Sequence, residues 1–381
     1  MPDNLSVVAL SAAKNAQSRY RGNDIALMGD SLTGLSFDAA TTGIGSGVWV
    51  HQLLMRSNGA LQYVYNAGIS GQRTDQMLAR FDTDIVNKRP SLCTIMGGTN
   101  DVKQGILPAV ALANIEAMVL KCFPARITPI LATIPPLDEG KVTEVLQVNA
   151  GIYKIARKYG LDVLDFYSLL VDPATSKYKS GYSTDGIHPG TTPVKLMGQY
   201  AAEQLLPKLP AFRTNVPAVN NAPNNLLKNS LFLTDANADG VADNWTMYGT
   251  GVATSSLTTG DATIKGSWMT MDKTDAASTK TYSQAISTGF KAGDVIAFTG
   301  RVKTTVEGTE MPVTVQLAYT GASGMMRPLN NWKTDNNGIF YVEGVVPTGA
   351  TALTVTMTAG AGTGKAEYAQ FAVYNLSNEV F

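Results

Sequence analysis

At 381 residues the chain is longer than one ordinary domain, and two domains are expected. Its 30 Lys and Arg residues balance its 30 Asp and Glu residues, and no basic block stands out. Nucleic acid and a membrane surface are therefore not expected as partners. No run is long and apolar enough to span a bilayer.

Residues 1–21 are expected to form an N-terminal extension. The stretch has no basic opening, and its short apolar part is interrupted by Ser, so it does not resemble a cleaved secretory signal. A short helix leading into the first strand is the simpler expectation, and a docking arm for a larger assembly is the alternative. Without a signal, a virion-associated protein acting outside the cell or a cytoplasmic protein are the two locations considered.

From residue 22 to residue 206, short apolar runs alternate with helical patterns. Strands are predicted at residues 24–29, 63–66, 92–97, 127–134 and 163–166. Helices are predicted at residues 74–88, 108–123 and 141–159. This alternation predicts an α/β domain whose parallel sheet is covered on both faces. Ligands of such sheets gather at the carboxyl ends of the strands.

The chain has two cysteines and two histidines. Cys93 lies in an apolar run and Cys122 closes a predicted helix, so both are interpreted as buried small hydrophobic residues. His51 lies on an apolar helical stretch and is interpreted as structural. His188 lies in the loop D-G-I-H-P, where Gly and Pro prevent regular structure, and Asp185 precedes it by three residues. His188 is thus the candidate base and Asp185 the group that orients it.

A candidate nucleophile follows the first strand. Residues 29–32 read G-D-S-L, which places Ser31 where the carboxyl edge of the sheet opens to ligands. A serine hydroxyl needs an adjacent base, and His188 can supply it if the chain returns to this edge. Taken alone, G-D-S-L also fits an ordinary turn at the end of a strand.

The next two strands end in segments suited to an oxyanion hole. Residues 66–72 read N-A-G-I-S-G-Q and residues 96–101 read M-G-G-T-N-D. Glycine exposes backbone N–H groups, and asparagine adds a side-chain amide donor.

These four segments, in this order, resemble the blocks of the SGNH hydrolase family, also called GDSL esterases. The resemblance covers residues 22–206 and implies a flavodoxin-like three-layer α/β/α sandwich with a five-stranded parallel sheet. It implies Ser31 as nucleophile with Asp185 and His188 completing the triad, and Ser31, Gly71 and Asn100 as oxyanion donors. Gly68 is the alternative glycine, but it is expected to serve the turn that leaves the strand. The implied reaction is two-step acyl transfer, which requires no metal or organic cofactor.

The composition changes after the α/β pattern ends. Residues 207–224 are rich in Pro and Asn and are predicted to be a linker. Residues 225–381 are rich in Thr and Gly, which predicts an all-β sandwich or jelly roll. Strands are predicted at residues 295–299, 312–319, 339–346, 352–358 and 367–374. The opening segments 225–229 and 235–245 resemble jelly-roll modules of the kind found among carbohydrate-binding modules and in phage tail proteins.

Two features of this region leave alternatives open. Three tryptophans can stack on sugar rings or belong to the core, namely Trp245, Trp268 and Trp332. A D-x-N-x-D-G run offers oxygen ligands for a structural calcium ion or the side chains of a plain Asx turn, through Asp235, Asn237, Asp239 and Asp243. A complete EF-hand is excluded, because Thr246 occupies the position where such a loop needs Glu.

The favoured function is a carbohydrate esterase that removes O-acetyl groups from a polysaccharide held by the tail region. The stretch from residue 33 to residue 48 can form one wall of the site, and its weakly apolar character favours a small acyl group. One alternative is a general esterase or thioesterase for small acyl esters. Another is a receptor-binding or structural phage tail protein that keeps the fold without activity, against which the intact site residues argue. Homo-oligomerisation and virion assembly are the higher-order states considered.

Overall fold

The computed structural model describes residues 22–34, 37–38, 43–44, 49–210, 216–308, 310–333 and 335–378. The described chain forms two compact units. The first contains residues 22–34, 49–53 and 60–210, and the second contains residues 37–38, 43–44, 54–59 and everything from residue 216. The predicted N-terminal extension and most of the predicted wall at residues 33–48 lie outside the described residues.

The part of the chain before residue 209 alternates strands and helices. Its strands are β1 (Asp24–Gly29), β2 (Phe37–Asp38), β3 (Gly43–Ile44), β4 (Gln62–Gly68), β5 (Leu92–Met96), β6 (Thr128–Ala132), β7 (Asp162–Leu164), β8 (Val171–Asp172) and β9 (Lys177–Tyr178). Its helices are α1 (Ser31–Gly34), α2 (Trp49–Arg56), α3 (Thr74–Asp84), α4 (Thr99–Lys103), α5 (Pro108–Cys122), α6 (Val142–Tyr159), α7 (Phe166–Leu170) and α8 (Thr191–Leu205), with 3₁₀ turns at Val86–Lys88 and Leu206–Lys208.

The first unit is built on a five-stranded parallel sheet in the order β4-β1-β5-β6-β7. The four residues from Ile25 to Met28 are fully buried, because a central strand is covered by helices on both faces. This confirms the flavodoxin-like fold predicted from the sequence. The chain runs from β1 outward to β4 and then crosses to β5, so a crevice opens between the carboxyl ends of β1 and β5.

The helices cover the sheet with regular apolar faces. In α5 the buried residues Ala111, Ile115, Met118 and Cys122 follow the three- and four-residue spacing of one helix face. Cys122 and Cys93 are buried free thiols, and His51 is buried in α2, as the sequence predicted. None of the helices in the described ranges is long and apolar enough to cross a bilayer.

The second unit contains two five-stranded antiparallel sheets. From residue 216 onward its strands are β10 (Thr246–Gly249), β11 (Ala253–Thr258), β12 (Trp268–Lys273), β13 (Lys280–Ile286), β14 (Val295–Val306), β15 (Val313–Thr320), β16 (Met325–Trp332), β17 (Asn336–Val345), β18 (Ala352–Ala359) and β19 (Gly364–Asn375), followed by a 3₁₀ turn at Leu376–Asn378. The sheet orders are β10-β13-β18-β15-β16 and β11-β12-β19-β14-β17. The all-β architecture predicted from the sequence is confirmed.

The C-terminal half of the predicted linker is bonded into the second unit. The Pro217 carbonyl accepts a hydrogen bond from the Gln370 side chain at 2.8 Å, and Asn221 Oδ1 accepts one from the Asn229 N–H at 2.7 Å. Residues 217–221 are therefore an ordered border of the β unit, while residues 211–215 lie outside the described chain.

The three tryptophans proposed for sugar stacking belong to the core. Trp245, Trp268 and Trp332 are 5%, 3% and 1% exposed. Trp245 packs edge-on against Phe232 and Phe371, with ring centroids 5.5 and 6.3 Å away. The stacking prediction was wrong at these positions, because a buried indole has no free face for a sugar ring, and the core alternative is correct.

The proposed calcium loop is closed by its own backbone. Three aspartate carboxylates accept N–H groups of the same loop: Asp235 from Gly240 at 2.9 Å, Asp239 from Val241 at 2.8 Å and Asp243 from Ala236 at 3.0 Å. Asn237 Nδ2 donates to Asp239 at 2.9 Å. Within the described residues no group of three or more His, Cys, Asp or Glu side chains is arranged to hold a metal ion. The Asx-turn alternative therefore describes this loop.

Candidate active site

The candidate nucleophile is fixed at the carboxyl end of the central strand. Ser31 begins α1 directly after β1 and is 8% exposed. The turn is closed by the N–H groups of Thr33 and Gly34, which both donate to the Asp30 carbonyl oxygen. A Cβ at Gly29 would lie 2.1 Å from Thr33 Oγ1, so glycine is required where the strand ends. Ser31 is thereby held beside the crevice between β1 and β5.

His188 lies against this hydroxyl. Ser31 Oγ is 2.9 Å from His188 Nε2, and His188 Nδ1 is 2.7 Å from Asp185 Oδ2. With Nδ1–H donating to the carboxylate, Nε2 carries the lone pair that can accept the serine proton. The three residues that the sequence predicted as a triad are therefore joined by two hydrogen bonds.

The loop that carries Asp185 also keeps its carboxyl ionised. Asp185 Oδ1 accepts the N–H of Ile187 at 2.9 Å and that of His188 at 2.7 Å. Burial raises the pKa of Asp185, but these N–H groups and the His188 imidazole outweigh burial and hold the pKa well below its ordinary value. The carboxylate is therefore charged at neutral pH and favours the imidazolium that forms when His188 takes a proton.

Residues that the sequence analysis missed support this loop. Ser183 Oγ donates to the His188 carbonyl at 2.8 Å and accepts the Gly186 N–H at 3.0 Å. The Tyr178 hydroxyl donates to the Ile187 carbonyl at 2.7 Å. Ser183 lies in the same loop, so its role as a turn residue was a readable signal. Tyr178 lies on β9, and no local pattern links it to the loop.

Asn100 approaches the nucleophile from the neighbouring strand. It lies in α4, after β5, and its Nδ2 donates to the Gln72 carbonyl at 3.0 Å and to Asp30 Oδ2 at 3.3 Å. The amide is thus tied to the loop after β4 and to the residue before Ser31. The contact with Asp30 is the longer and weaker of the two. The Asn100 N–H that makes it is therefore the one that can more readily donate to a reacting oxygen instead.

The two candidate glycines, Gly68 at the end of β4 and Gly71 in the loop that follows, differ in accessibility. Gly68 N–H already donates to Asn66 Oδ1 at 2.9 Å, and a Cβ at Gly68 would lie 2.3 Å from the backbone nitrogen of Gly34. Gly71 is exposed, has a φ of 78°, and a Cβ there would have no other atom within 4 Å. Gly71 is therefore the glycine whose backbone is open to a ligand, while Gly68 permits close packing of α1 on β4.

The side chain of Asp30 had no role assigned from the sequence. It is fully buried, and its Oδ1 accepts the Leu32 N–H at 2.9 Å. Burial raises the pKa of Asp30 to about 7, because the Leu32 N–H and the nearby His188 offset only part of the lost hydration and Asp101 adds repulsion. A carboxyl that changes charge near neutral pH thus lies beside the candidate oxyanion hole.

The family comparison agrees with this site. Residues 27–192 match the model of the GDSL-like Lipase/Acylhydrolase family, a range that includes Ser31, Gly71, Asn100, Asp185 and His188. The match supports assignment of the N-terminal part of the chain to this family, the SGNH hydrolases, and supports an ester hydrolase as its class.

Individual proteins similar to this chain match it at low sequence identity or over a small part of its length. The uncharacterized lipoprotein YqeF of Bacillus subtilis (strain 168) is 34% identical over 98 residues, which cover 24% of this chain and 40% of that protein. The chain thus matches about two fifths of this relative's length. A G-D-S-L family protein from Desulfitobacterium hafniense DCB-2 is 25% identical, with coverage of 48% and 100% and a TM-score of 0.42. A catalytic mutant of an acetylxylan esterase from Geobacillus stearothermophilus is 18% identical, with coverage of 51% and 100% and a TM-score of 0.44.

Proposed function

We propose that the protein is a serine esterase that removes small acyl groups, acetyl above all, from the hydroxyl groups of a carbohydrate polymer. The observation that carries the proposal is the chain of short contacts, 2.9 Å from Ser31 Oγ to His188 Nε2 and 2.7 Å from His188 Nδ1 to Asp185 Oδ2. An imidazole held by a carboxylate is the arrangement that activates a serine hydroxyl, which is a weak nucleophile alone.

In the proposed reaction, His188 Nε2 takes the Ser31 proton as Oγ bonds to the ester carbonyl carbon. Asp185 stabilises the imidazolium. His188 then gives its proton to the leaving hydroxyl oxygen, the carbon–oxygen bond of the ester breaks, and the acyl group stays on Ser31. Water, deprotonated by His188, then bonds to the acyl carbon. The bond between that carbon and Ser31 Oγ breaks, His188 returns the proton to Oγ, and the carboxylic acid leaves. The bonds made and broken in these steps belong to the ester, to water and to the side chains of Ser31 and His188.

The oxyanion would be held by the N–H groups of Ser31 and Gly71 and by the Asn100 amide. Support comes from the open backbone at Gly71 and from the long contact of Asn100 with Asp30, which a stronger acceptor can replace. Because such donors act where charge develops, Asn100→Ala is expected to lower kcat by about 10²–10³.

A polar rim supports a hydroxyl-rich substrate. Arg73 Nη1 donates to Gln104 Oε1 at 2.8 Å, which links the loop after β4 to the end of α4. Lys103 Nζ lies 3.4 Å from Glu139 Oε1 in the segment after β6. These side chains all follow strand carboxyl ends, the edge at which Ser31 lies. Charged and amide groups there suit a carbohydrate better than a long acyl chain, which would need an apolar surface.

The test is hydrolysis of p-nitrophenyl acetate, butyrate and octanoate and release of acetate from acetylated polysaccharides, for wild type and Ser31→Ala. We expect acetate release from at least one acetylated glycan, preference for acetyl over octanoyl esters, and loss of all of these activities in Ser31→Ala.

Two results would contradict the proposal at different levels. Activity that survives Ser31→Ala would refute the serine mechanism. Robust cleavage of longer acyl esters, with no acetate from any glycan, would refute the deacetylase role and favour the general esterase or thioesterase.

A further inference from the structure

We propose that Arg80 is a positioning residue that holds the oxyanion hole together, an inference that rests on the proposed function. Arg80 lies on α3 with 15% of its side chain exposed. It has no place among the groups that would touch the substrate. Its guanidinium instead joins the segments from which the oxyanion donors come.

The guanidinium makes contacts with both strand ends beside the site. Arg80 Nη2 donates to the carbonyl oxygens of Ala67, at 2.7 Å, and Gly29, at 3.2 Å. Arg80 Nε donates to Gln72 Oε1 at 2.7 Å. Its remaining partner is Asp84, whose Oδ2 lies 2.7 Å from Nη1. One planar fork thus spans the end of β1, the end of β4 and the loop that follows β4.

Each oxyanion donor is close in the chain to an atom held by this fork. Gly29 precedes Ser31 by two residues, and Gln72 directly follows Gly71. The Gln72 carbonyl in turn accepts the Asn100 amide at 3.0 Å. A shift of the Arg80 contacts would therefore move all three donors relative to one another.

The helix that supplies Arg80 is itself anchored to the site. At the start of α3, the Thr74 N–H and hydroxyl donate to the two Asp101 carboxylate oxygens at 2.9 and 2.6 Å. Asp101 follows Asn100 and is 1% exposed. The helix that carries the guanidinium is thus bonded at its start to the Asn100 segment and, through Arg80, to the ends of β1 and β4, as a supporting shell requires.

Arg80→Met keeps the apolar stem and removes every donor. Displacing a catalytic group by about 1 Å can lower the rate about 10²-fold, so we expect kcat for p-nitrophenyl acetate to fall about 10²-fold with KM within about twofold. Arg80→Lys keeps the charge but loses the fork, and we expect a fall of about tenfold. Asp84→Asn is the matched control, because it breaks the ion pair and leaves the other Arg80 contacts intact; its kcat is expected within about twofold of wild type.

Two measurements separate positioning from general stability. The double variant Arg80→Met/Asn100→Ala should lose less activity than the product of the two single losses, since the two changes act on one shared donor set. The side-chain amide resonances of Asn100 should shift in Arg80→Lys and stay in place in Asp84→Asn, whether or not the protein cleaves esters. The inference is overturned if these resonances do not move in Arg80→Lys, or if Asp84→Asn loses as much activity as Arg80→Lys. If the wild type cleaves no ester but the Asn100 resonances still shift in Arg80→Lys, the proposed function is refuted and the positioning role is supported.

Discussion

Replacing the buried Asp30 by Asn should remove the contribution of this carboxyl to the pH dependence of the first unit's stability. The folded state keeps the proton of this carboxyl up to about pH 7, whereas the unfolded chain releases it near 3.8. Between these values the folded state binds more protons, so the free energy of unfolding must fall as the pH rises. Because the pKa of Asp30 differs by about three between the folded and unfolded states, the free energy of unfolding should fall by about 4 kcal/mol in all between pH 4 and pH 8.

The two cysteines offer an assay for this unit alone. Cys93 and Cys122 are the chain's thiols, both are buried, and both lie in the first unit. Reaction with a pH-tolerant disulfide reagent after equilibration in urea therefore reports unfolding of the α/β part, separately from the β part. Transitions at pH 4 and pH 8 give the pH-dependent change in the free energy of unfolding for each variant.

Comparison of variants isolates the Asp30 contribution. In Asp30→Asn the loss between pH 4 and pH 8 should be smaller than in wild type by about 4 kcal/mol. Ser31→Ala is the control, because it keeps the Asp30 carboxyl and its Leu32 contact and should show the wild-type dependence. Equal pH dependence in wild type and Asp30→Asn would refute the argument that burial raises the pKa of this group.

Three further changes test other parts of the molecule. Asp185→Asn should lower kcat by about 10⁴ in the p-nitrophenyl acetate assay, since the amide no longer selects the required imidazole tautomer. Gly68→Ala should destabilise the first unit by about 3 kcal/mol through a backbone clash, whereas Gly71→Ala should destabilise it by about 1 kcal/mol because of its left-handed φ. Equal losses of unfolding free energy in urea titrations of the two variants would contradict the packing described. Lys273→Met should destabilise the β unit by about 1–3 kcal/mol, because the buried ammonium donates to loop carbonyls. Lys280→Met is the control and should change little in the tryptophan fluorescence transition, because the half-buried Lys280 makes only a solvent-exposed contact with the Gly249 carbonyl.

The α/β fold was readable because its signals are local. The strand β1 has the bounds predicted, since an apolar run covered on both faces leaves no doubt about its length. In the second unit, strands such as β11, with the sequence A-T-S-S-L-T, were missed. Small polar residues alternate there between half-buried and exposed positions, so no apolar pattern marks the strand. Its pairing with β12 decides its conformation, and pairing is not visible in one segment.

The site shows the same division. Ser31 and His188 could be proposed because each lies in a short motif with its own turn chemistry. The role inferred for Arg80 could not be, because it depends on the Gly29 and Ala67 carbonyl oxygens, which only the pairing of β1 with β4 brings together beside α3. For Trp245 the sequence allowed either sugar stacking or a place in the core. Only the packing of the folded unit shows that this side chain faces inward.

The order of the site along the chain has a consequence for engineering. The proposed charge-stabilising apparatus, from Gly29 to Asp101, belongs to β1, β4 and β5, while the proton-transfer residues lie in the loop from Ser183 to His188. The exposed turn at Gly140, with a φ of 76°, separates the two stretches. A chain divided there would yield one fragment with the nucleophile and its anion site and another with the base. Ester cleavage would then report the pairing of β6 with β7, which lie on opposite sides of the division. This makes the fold a design basis for a split enzyme that detects the meeting of two fused proteins.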